Sequence, residues 1–441
     1  MSVEEGLGRA LARMGMAAPT GLARLTGGAT MESWRFESGG EPYVLRRAPS
    51  LAFIEGRPYG HDTEAAVIGA AHAAGVNAPE VVTVLEEADG IGSGFIMRAL
   101  PGTPDPRQIL AMEGANTILR EAARDLARIH SLKRENVPQD IPVMDYRAAI
   151  ADLRQQFEDA GGDRPIIALG LKWMEDNCPD ACEPVLNHGD FRLGNILVED
   201  GHLTGVLDWE LAHFGDSHED LAFGCMPVWR FARYDRPALG LGSLEDYFSA
   251  YEQESDRKVD RDRFRYWLVH RTVWWALGCL RNARIWRSGE DRMLERVVIS
   301  RRTSEQELDL LMLLEEEAPD QERSRPLPPP AEPLITSGES TKGEIATAIS
   351  EWLAMVKDRM EGHDRFQLAV ARNALGMIAR QDASNTAAGD HELAQAFLGG
   401  GRDLTESGLL AHLKRQVIDK LAADIPKYPA LAVARAKWEN E

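Results

Sequence analysis

Short apolar runs with strand-like alternation dominate residues 20–100. They are ESWRFES, PYVLRRA, EVVTVLEE and GFIMRAL, and one helix-like stretch, TEAAVIGAAHAAG, interrupts them. From about residue 103 to residue 314 the spacing of apolar positions becomes mostly helical. Strands that come first and helices that follow predict an α+β fold with two lobes, an antiparallel-sheet N-lobe and a mainly helical C-lobe.

A proline-rich segment divides the helical part of the chain. Residues 315–341 pass from an acidic run to a cluster of prolines, which neither sustain a helix nor donate to a sheet. We therefore predict an N-lobe at 1–100, a C-lobe at 101–314, a linker at 315–341 and a C-terminal all-α domain at 342–441. In that last domain Ile345, Ile349 and Trp352 recur at helical spacing. The pattern indicates a small bundle that packs or mediates assembly, including assembly of a homo-oligomer.

The run ILVEDGHLTGVLDW, residues 196–209, predicts a β-hairpin with Asp200 and Gly201 at its turn. Counting outward from that turn places Asn195 opposite Val206, two residues from Asp208. The Asn195 amide oxygen and the Asp208 carboxylate then lie at the same end of the hairpin. Two hard oxygen ligands in this arrangement suit Mg²⁺, which also binds substrate phosphates.

Asp190 precedes this hairpin by a short loop, in the sequence HGDFRLGN. A carboxylate there can reach a hydroxyl beside the metal without binding the metal, as a general base must. Arg192 lies between Asp190 and Asn195 and can face developing phosphoryl charge. The alternative is that these are solvated loop residues, with Asp200 and Gly201 serving only the turn. The joint pattern of His-Gly-Asp, Asn, hairpin and Asp favours the functional interpretation.

HGDFRLGN followed by GVLDWELAHFGDSHEDLA resembles the catalytic core of the aminoglycoside phosphotransferase (choline-kinase-like) superfamily, which shares the protein-kinase-like fold. The resemblance extends over roughly residues 20–310. It implies a phosphotransferase that uses ATP and Mg²⁺ and acts on an alcohol group. The implied roles are catalytic base for Asp190, magnesium ligands for Asn195 and Asp208, brace of the catalytic loop for His188, and caps or anchors of helices for Asp216 and Asp220.

The first lobe should then hold the nucleotide. LTGGATMESWRF is a candidate phosphate-binding loop, with Gly27 and Gly28 permitting close approach of backbone N–H groups and Thr30 adding a hydroxyl. The strand PYVLRRAPS presents Arg46 where the family places a phosphate-contacting basic residue. If Val44 faces the core, alternation brings Arg46 to the cleft and turns Arg47 outward.

Two further elements complete the predicted nucleotide site. Glu64, in the helix that follows, is the expected ion-pair partner that orients Arg46. FIMRALPG resembles the hinge between lobes, where backbone groups around Met97 and Ala99 would meet the adenine edge. Arg46 and Glu64 are also consistent with ordinary surface charges.

Charge narrows the classes of partner. A net charge of −20 argues against a nucleic-acid binder, because neutralising phosphates needs a basic surface. No apolar run approaches the ~20 residues that a membrane span requires, and scattered cysteines together with an acid-containing N-terminus indicate a cytoplasmic protein. Residues 261–302, however, hold eleven arginines against four acids.

This arginine excess points away from a polycationic antibiotic and toward a small anionic or acyl-bearing alcohol. PYVLRRAPS and the HGDFRLGN region resemble the branch of the superfamily that is associated with acyl-CoA dehydrogenases, which implies a hydroxyacyl-CoA acceptor. Three alternatives stay open. They are an aminoglycoside-type antibiotic kinase, a nucleotide-binding pseudoenzyme that serves as a scaffold, and an ATP hydrolase without an acceptor.

Overall fold

The computed structural model describes residues 2–25, 31–48, 58–231, 233–330, 339–384 and 390–439. The chain divides into two compact units: unit 1 is Met1–Asp145 with Asp180–Phe264, and unit 2 is Tyr146–Pro179 with Arg265–Glu441. Each unit combines two segments, whereas the regions predicted above are continuous in sequence. The boundaries at residues 100, 314 and 341 stay a prediction.

Unit 1 begins with a helix and a five-stranded antiparallel sheet. The elements are α1 (Val3–Arg13), β1 (Thr20–Arg24), β2 (Glu32–Ser38), β3 (Glu41–Ala48), α2 (His61–Ala73), β4 (Val81–Val84) and β5 (Ser93–Arg98). The strand order is β1-β2-β3-β5-β4. An antiparallel sheet at the start of the chain and a helical remainder confirm the predicted α+β class.

The sheet buries one face against α1. Ser2 caps this helix through a capping box with Glu5, and Leu7 and Leu11 pack against Phe36 and Leu45 of the sheet. Burial of these apolar side chains stabilises the pairing of helix and sheet.

Alternation along β3 places Tyr43 and Leu45 in this core and Val44 and Arg46 on the opposite face. Val44 therefore faces a cavity instead of the core, although it shares its face with Arg46 as predicted.

The prediction that Arg47 turns outward is wrong. Its Nε atom donates to Glu32 Oε2 at 2.9 Å, and its Nη1 atom donates to the Ile91 carbonyl at 2.7 Å. The side chain is only 11% exposed. Glu32 on the neighbouring strand and the Ile91 carbonyl both accept charge-assisted hydrogen bonds from the guanidinium. These bonds keep the Arg47 side chain packed against the protein and out of the solvent.

The rest of unit 1 carries two small antiparallel ribbons among helices. The elements are α3 (Pro106–Ala111), α4 (Ala115–Ser131), β6 (Val185–Asn187), β7 (Ile196–Glu199), β8 (His202–Val206), β9 (His213–Gly215), α7 (Ser217–Phe223) and α8 (Leu244–Ser255). β6 pairs with β9, and β7 pairs with β8. Asp200 and Gly201 have φ values of 51° and 79°, the left-handed conformation that a two-residue hairpin turn requires. The predicted hairpin is confirmed.

The register of this hairpin departs from the prediction after its second pair. Thr204 is an extra residue on β8, so Ile196 pairs with Val206 and the predicted pairing of Asn195 with Val206 is wrong. The Thr204 hydroxyl donates to the Pro101 carbonyl at 2.7 Å, a contact outside the hairpin that favours the bulge. The Asn195 carbonyl instead accepts from the backbone N–H of Leu207 at 2.8 Å, next to Asp208.

All the regular elements that the structure describes in unit 2 are helices. Its helices are α5 (Tyr146–Asp159), α6 (Pro165–Asp176), α9 (Arg261–Ser288, whose first turn falls in unit 1), α10 (Leu294–Ser300), α11 (Thr303–Leu314), α12 (Asp320–Arg323), α13 (Lys342–Val356), α14 (Gly362–Ser384), α15 (His391–Leu398), α16 (Leu409–Asp424) and α17 (Pro429–Trp438). The predicted C-terminal helices are confirmed. One of them, α16, begins at Leu409, directly after Gly408 with φ 80°. No helix in the described ranges is both long and apolar enough to cross a bilayer.

Two features of unit 2 bear on the predicted linker and bundle. Glu315 is buried and accepts from Trp438 Nε1 at 3.0 Å, with Lys414 Nζ 3.1 Å away, so the start of the predicted linker is fixed to the C-terminal helices. In contrast, Ile349 and Trp352 on α13 are 44% and 58% exposed. These two residues of the apolar stripe predicted for the bundle therefore lie at the surface of this unit.

Candidate active site

The segment His188-Gly189-Asp190 follows β6 directly. Gly189 has φ 86°, and a Cβ atom added there would lie 2.3 Å from the carbonyl oxygen of Leu211, so only glycine fits. The backbone N–H groups of His188 and Gly189 donate to the two carboxylate oxygens of Asp220, at 2.5 and 2.8 Å. Asp220 therefore fixes the backbone from which Asp190 projects.

Asp220 is fully buried in helix α7. Burial opposes its ionisation, but the hydrogen bond and charge of His130 and the N–H groups of the loop hold its pKa below the usual 3.8. Asp220 also bonds His130 of α4, with Nε2 and Oδ2 3.3 Å apart, so it anchors that helix as expected and in addition holds the loop that carries Asp190. Asp216 does cap α7 as expected, accepting from the N–H of His218 at 3.0 Å.

His188 connects this loop to the end of the hairpin. Its Nε2 atom donates to the Leu207 carbonyl at 3.0 Å, and its Nδ1 atom accepts from the N–H of Asp190 at 3.2 Å. The ring packs against Trp209, with centroids 4.7 Å apart. Burial lowers the pKa of His188, so the imidazole is neutral and takes the role of brace that the resemblance implied.

Asp190 lies between two donors at the start of the hairpin. Arg192 Nε donates to its Oδ1 atom at 2.8 Å, and Asn195 Nδ2 donates to its Oδ2 atom at 2.6 Å. Burial nevertheless raises the pKa of Asp190, against the opposing charge of Arg192. A carboxylate with a raised pKa holds a proton more tightly than an ordinary surface acid, which suits a proton acceptor.

Arg192 is an ion-pair partner of Asp190 in this structure. Its guanidinium carbon also lies 4.5 Å from the centroid of the Trp229 ring, a cation–π contact that fixes the side chain from its other face. Trp229 was missed by the sequence reasoning, because a short 3₁₀ turn 37 positions further along the chain brings it to Arg192. The expected contact of Arg192 with phosphoryl charge stays a prediction.

The predicted magnesium ligands are joined through the backbone at the hairpin end, because the Asn195 carbonyl accepts from the N–H of Leu207, the neighbour of Asp208. The amide nitrogen of Asn195 is occupied by Asp190, so its Oδ1 atom is the one suited to a cation. Asp208, two residues past the end of β8, has φ 71°, an uncommon backbone conformation for a non-glycine residue. Burial opposes ionisation of Asp208, but the charge of Arg46 lowers its pKa.

These donors fit a magnesium ion. The described residues contain no cluster of three or more His, Cys, Asp or Glu side chains that would form an all-protein metal site. Mg²⁺ is commonly held by only one or two protein oxygens plus water and substrate phosphates. The amide oxygen of Asn195 and the ionised carboxylate of Asp208 supply that donor set.

Arg46 joins three carboxylates on the other side of the site. Its Nη2 atom lies 2.5 Å from Asp208 Oδ1 and 3.2 Å from Glu210 Oε2, and its Nε atom lies 3.3 Å from Glu64 Oε1. Burial would lower the pKa of Arg46, yet the three acids raise it. The structure thus brings Arg46 and Glu64 together as predicted. Glu210 was missed, and the available signal was the second acid in the DWE sequence.

A cavity of about 390 Å³ opens beside Arg46, within the size range of small-molecule sites. Its lining includes Val44, Arg46, Glu64, Phe95, Met97, Ala99, Leu100 and Asp208. Four of the predicted nucleotide-binding residues therefore line one cavity. The N–H of Ala99 already donates to the Pro42 carbonyl at 3.0 Å, so an adenine ring would have to meet other backbone groups there. Gly27, Gly28 and Thr30 lie outside the described residues.

Ion pairs neutralise much of the arginine excess predicted for residues 261–302. Within the described ranges, six of the eleven arginines have a carboxylate oxygen within 4.0 Å. They are Arg261, Arg263, Arg265, Arg296, Arg301 and Arg302. More than half of these arginine charges are therefore already paired within the protein.

Sequence comparison matches residues 21–261, more than half of the chain, to the phosphotransferase enzyme family (APH). Residues 358–428 match a domain of unknown function. The chain is 30% identical to mouse (Mus musculus) acyl-CoA dehydrogenase family member 10 over 47% of its own length and 21% of that protein. It is 28% identical to hygromycin-B 4-O-kinase of Escherichia coli over 46% of its own length and 60% of that protein. The chain thus spans about a fifth to three fifths of these curated relatives.

Solved structures share the fold. A crystal structure of a putative aminoglycoside phosphotransferase from Ralstonia eutropha JMP134 superposes with a TM-score of 0.58 at 20% identity, covering 71% of this chain and 98% of that one. Aminoglycoside phosphotransferase APH(4)-Ia in ternary complex with AMP-PNP and hygromycin B gives 0.52 at 18% identity, over 71% and 98% of the two chains. These likenesses confirm the predicted kinase-like fold class.

Proposed function

The chain belongs to the phosphotransferase enzyme family, and we propose that it transfers the γ-phosphoryl group of ATP to a hydroxyl group of a small molecule, with Asp190 as the general base. The observation that carries this proposal is the position of the Asp190 carboxylate between Arg192 and Asn195, with a pKa raised by burial. Such a carboxylate can accept the proton of an attacking hydroxyl. General-base catalysis of this kind contributes roughly 10²–10⁴ in rate.

Hydrogen bonds fix the backbone of the His188-Gly189-Asp190 loop and so fix the position of the Asp190 carboxylate. Asp220 holds the backbone of His188 and Gly189, and neutral His188 ties the loop to Leu207. Because phosphoryl transfer depends mainly on positioning and charge stabilisation, a rigidly held Asp190 carboxylate favours the reaction. Arg192 orients the carboxylate and offsets its charge while the acceptor hydroxyl approaches.

Nucleotide binding is proposed for the cavity beside Arg46. Arg46 has the charge and fork geometry to grip phosphate oxygens, and Glu64 fixes its direction. Asn195 and Asp208 would hold Mg²⁺, which when bound neutralises charge on the phosphate oxygens. The structures of related folds in complex with AMP-PNP support a nucleotide at a site of this class.

For the acceptor we propose an anionic or acyl-bearing alcohol such as a hydroxyacyl-CoA. The similarity to a protein named as an acyl-CoA dehydrogenase family member supports the acyl class. Similarity to hygromycin-B 4-O-kinase makes an aminoglycoside the competing acceptor.

Coupled measurement of ADP release with Mg·ATP tests these assignments. One acceptor panel contains hydroxyacyl-CoA thioesters, the other contains cationic aminoglycosides, and Asp190→Asn is the blank. Acceleration by the thioesters in wild type alone supports both the kinase and its acceptor class. Acceleration by aminoglycosides alone keeps the kinase and overturns the acceptor. If the two proteins release ADP equally, the chain is not a kinase with Asp190 as base, and the pseudoenzyme scaffold becomes the better account.

Two further proposals concern the setting of the enzyme. We propose a cytoplasmic location, supported by four cysteines that form no disulfide in the structure.

We also propose a homo-oligomer through the C-terminal helices, supported by the exposed Ile349 and Trp352 on α13. Light scattering of wild type and Trp352→Glu tests the second proposal, and equal masses at the monomer value would overturn it.

A further inference from the structure

Unit 2 contains a second cavity, larger than the one beside Arg46. Its volume is about 720 Å³. The lining comes from the ends of α5, α9 and α10 and the segment before α6. It consists of Gln156, Asp159, Ala160, Asp163, Arg164, Leu277, Leu280, Arg281, Ala283, Arg284, Arg287, Ser288, Ser300 and Arg301. All of these residues belong to unit 2.

The lining is strongly cationic. It holds five arginines and two aspartates in a chain whose net charge is −20. Arg164 pairs with Asp163 at 3.4 Å, and Arg301 pairs with Asp424. Asp159 accepts a hydrogen bond from Gln155 at 2.9 Å. These contacts pair Arg164 and Arg301 with carboxylates. The other three arginines of the lining lie on α9.

Arg281, Arg284 and Arg287 form a stripe at three-residue spacing along the exposed side of α9. In the part of the chain that the structure describes, none of the three has a carboxylate oxygen within 4.0 Å. Like charges on successive turns of a helix destabilise it, so a protein gains by placing an anion beside them. At a rise of ~1.5 Å per residue the stripe extends over about 9 Å.

Two other features of the cavity indicate that its ligand has an anionic group and an apolar part. The Nε atom of Arg164 is buried and has no hydrogen-bond acceptor among the described residues, although it lies near Asp163. A buried donor without an acceptor is costly, and a bound anion would satisfy it. Leu277, Leu280 and Ala283 give the same cavity an apolar wall that an organic group can cover.

We propose that this cavity binds a small organic molecule carrying two separated phosphate groups. Guanidinium groups bind phosphate oxygens through bidentate, charge-assisted hydrogen bonds. A stripe of about 9 Å matches two phosphates at opposite ends of a small molecule better than one isolated anion. Nucleic acid fits less well, because the cationic residues line a concave pocket in an otherwise acidic chain. The proposal does not require phosphotransfer by unit 1.

Calorimetric titration of the full chain tests this site, with fructose 1,6-bisphosphate as the probe and EDTA present to remove divalent cations. Inorganic phosphate and citrate are the comparison ligands. The binding variant is Arg284→Gln with Arg287→Gln. The matched control is Arg359→Gln, which removes an exposed arginine of unit 2 that does not line the cavity. We expect the bisphosphate Kd to rise at least about tenfold in the double variant and to stay within about twofold in the control.

Hydrogen exchange provides a second readout that needs no variant. The bisphosphate should protect backbone amides at residues 277–288 and 156–164 of wild type. Absence of bisphosphate binding at millimolar concentration, unchanged affinity in the double variant, or protection confined to other segments would each overturn the site. Equal affinity for citrate and the bisphosphate would overturn the phosphate class of the ligand. Since no turnover is measured, failure here is distinct from failure of the proposed kinase activity.

Discussion

Arg46 Nη2 lies 2.5 Å from Asp208 Oδ1, although 162 positions separate the two residues in the chain. The contact joins the third strand of the sheet to the end of the hairpin. It lowers the pKa of Asp208 against the effect of burial, so the carboxylate is ionised and ready to bind a cation. It also means that a metal ion at Asp208 would share this carboxylate with Arg46.

Replacing Arg46 with Met should destabilise unit 1 and weaken nucleotide binding. The change leaves Glu64, Asp208 and Glu210 facing one another without their shared cation. Breaking a buried ion pair from one side typically costs about 3–5 kcal/mol. Urea unfolding measures the loss. Arg124→Met is the control, because Arg124 is exposed and does not line the cavity, so its replacement should cost less than about 0.5 kcal/mol. Equal losses of unfolding free energy in the two variants would show that the ion pairs of Arg46 do not stabilise unit 1.

Replacing Arg192 with Gln should move the acidic limb of the pH–rate profile to higher pH. Burial raises the pKa of Asp190 and the charge of Arg192 opposes that rise, so removing the charge lets the pKa rise further. A general base acts only when deprotonated, hence the rate would fall off at a higher pH. The profile of kcat/KM from pH 4 to 9 reports the shift. An unmoved limb would remove Asp190 from the role of the titrating base.

The Asp190→Asn variant should fold at least as stably as wild type at pH 7 while losing activity. A raised folded-state pKa means that folding favours the protonated acid, and this contribution is present below the usual 3.8 and lost as pH rises through the folded value. A neutral Asn never incurs that loss. Thermal unfolding at pH 7 and at pH 3.5 checks the sign, since the advantage of Asn should shrink at the lower pH. A lower Tm for the variant at pH 7 would contradict the account of Asp190.

Replacing Gly189 with Ala should cost more than the same change at Gly39. Both glycines have positive φ, 86° and 62°, so each substitution carries roughly 1–2 kcal/mol of backbone strain. An added Cβ atom at Gly39 meets nothing within 4 Å, whereas at Gly189 it lies 2.3 Å from the Leu211 carbonyl. We expect the Gly189 variant to lose about 2 kcal/mol more and to lose phosphotransfer through displacement of Asp190. Equal unfolding free energies would mean that the loop relaxes freely.

The fold class and the hairpin were predictable because they depend on local patterns. Alternating apolar runs predict strands, and left-handed turn residues at 200 and 201 select the hairpin. The bulge at Thr204 was not predictable, because it depends on a hydrogen bond to Pro101, more than a hundred positions earlier. That one residue shifts the pairing of Asn195.

In the candidate site, too, features that depend on local sequence were predictable and features that depend on distant contacts were not. The roles of Asp190, Asn195 and Asp208 were predicted from one short segment and stay predictions. The attachment of Arg192 to Asp190 and Trp229, and the part of Glu210 in the Arg46 cluster, follow from side-chain directions that no spacing reveals. The sequence likewise counts the arginines of 261–302 but does not tell which of them have carboxylate partners, because those partners come from distant helices.

The most direct test of the central claim is detection of the phosphorylated product itself. Wild type and Asp190→Asn would each be incubated with Mg·ATP and the accelerating acceptor, and the covalent phosphate ester followed by mass spectrometry in a single turnover. The account predicts formation of the ester by wild type and a rate roughly 10²–10⁴ lower in the variant. Ester formation at equal rates, or ADP release by wild type without any ester, would contradict it.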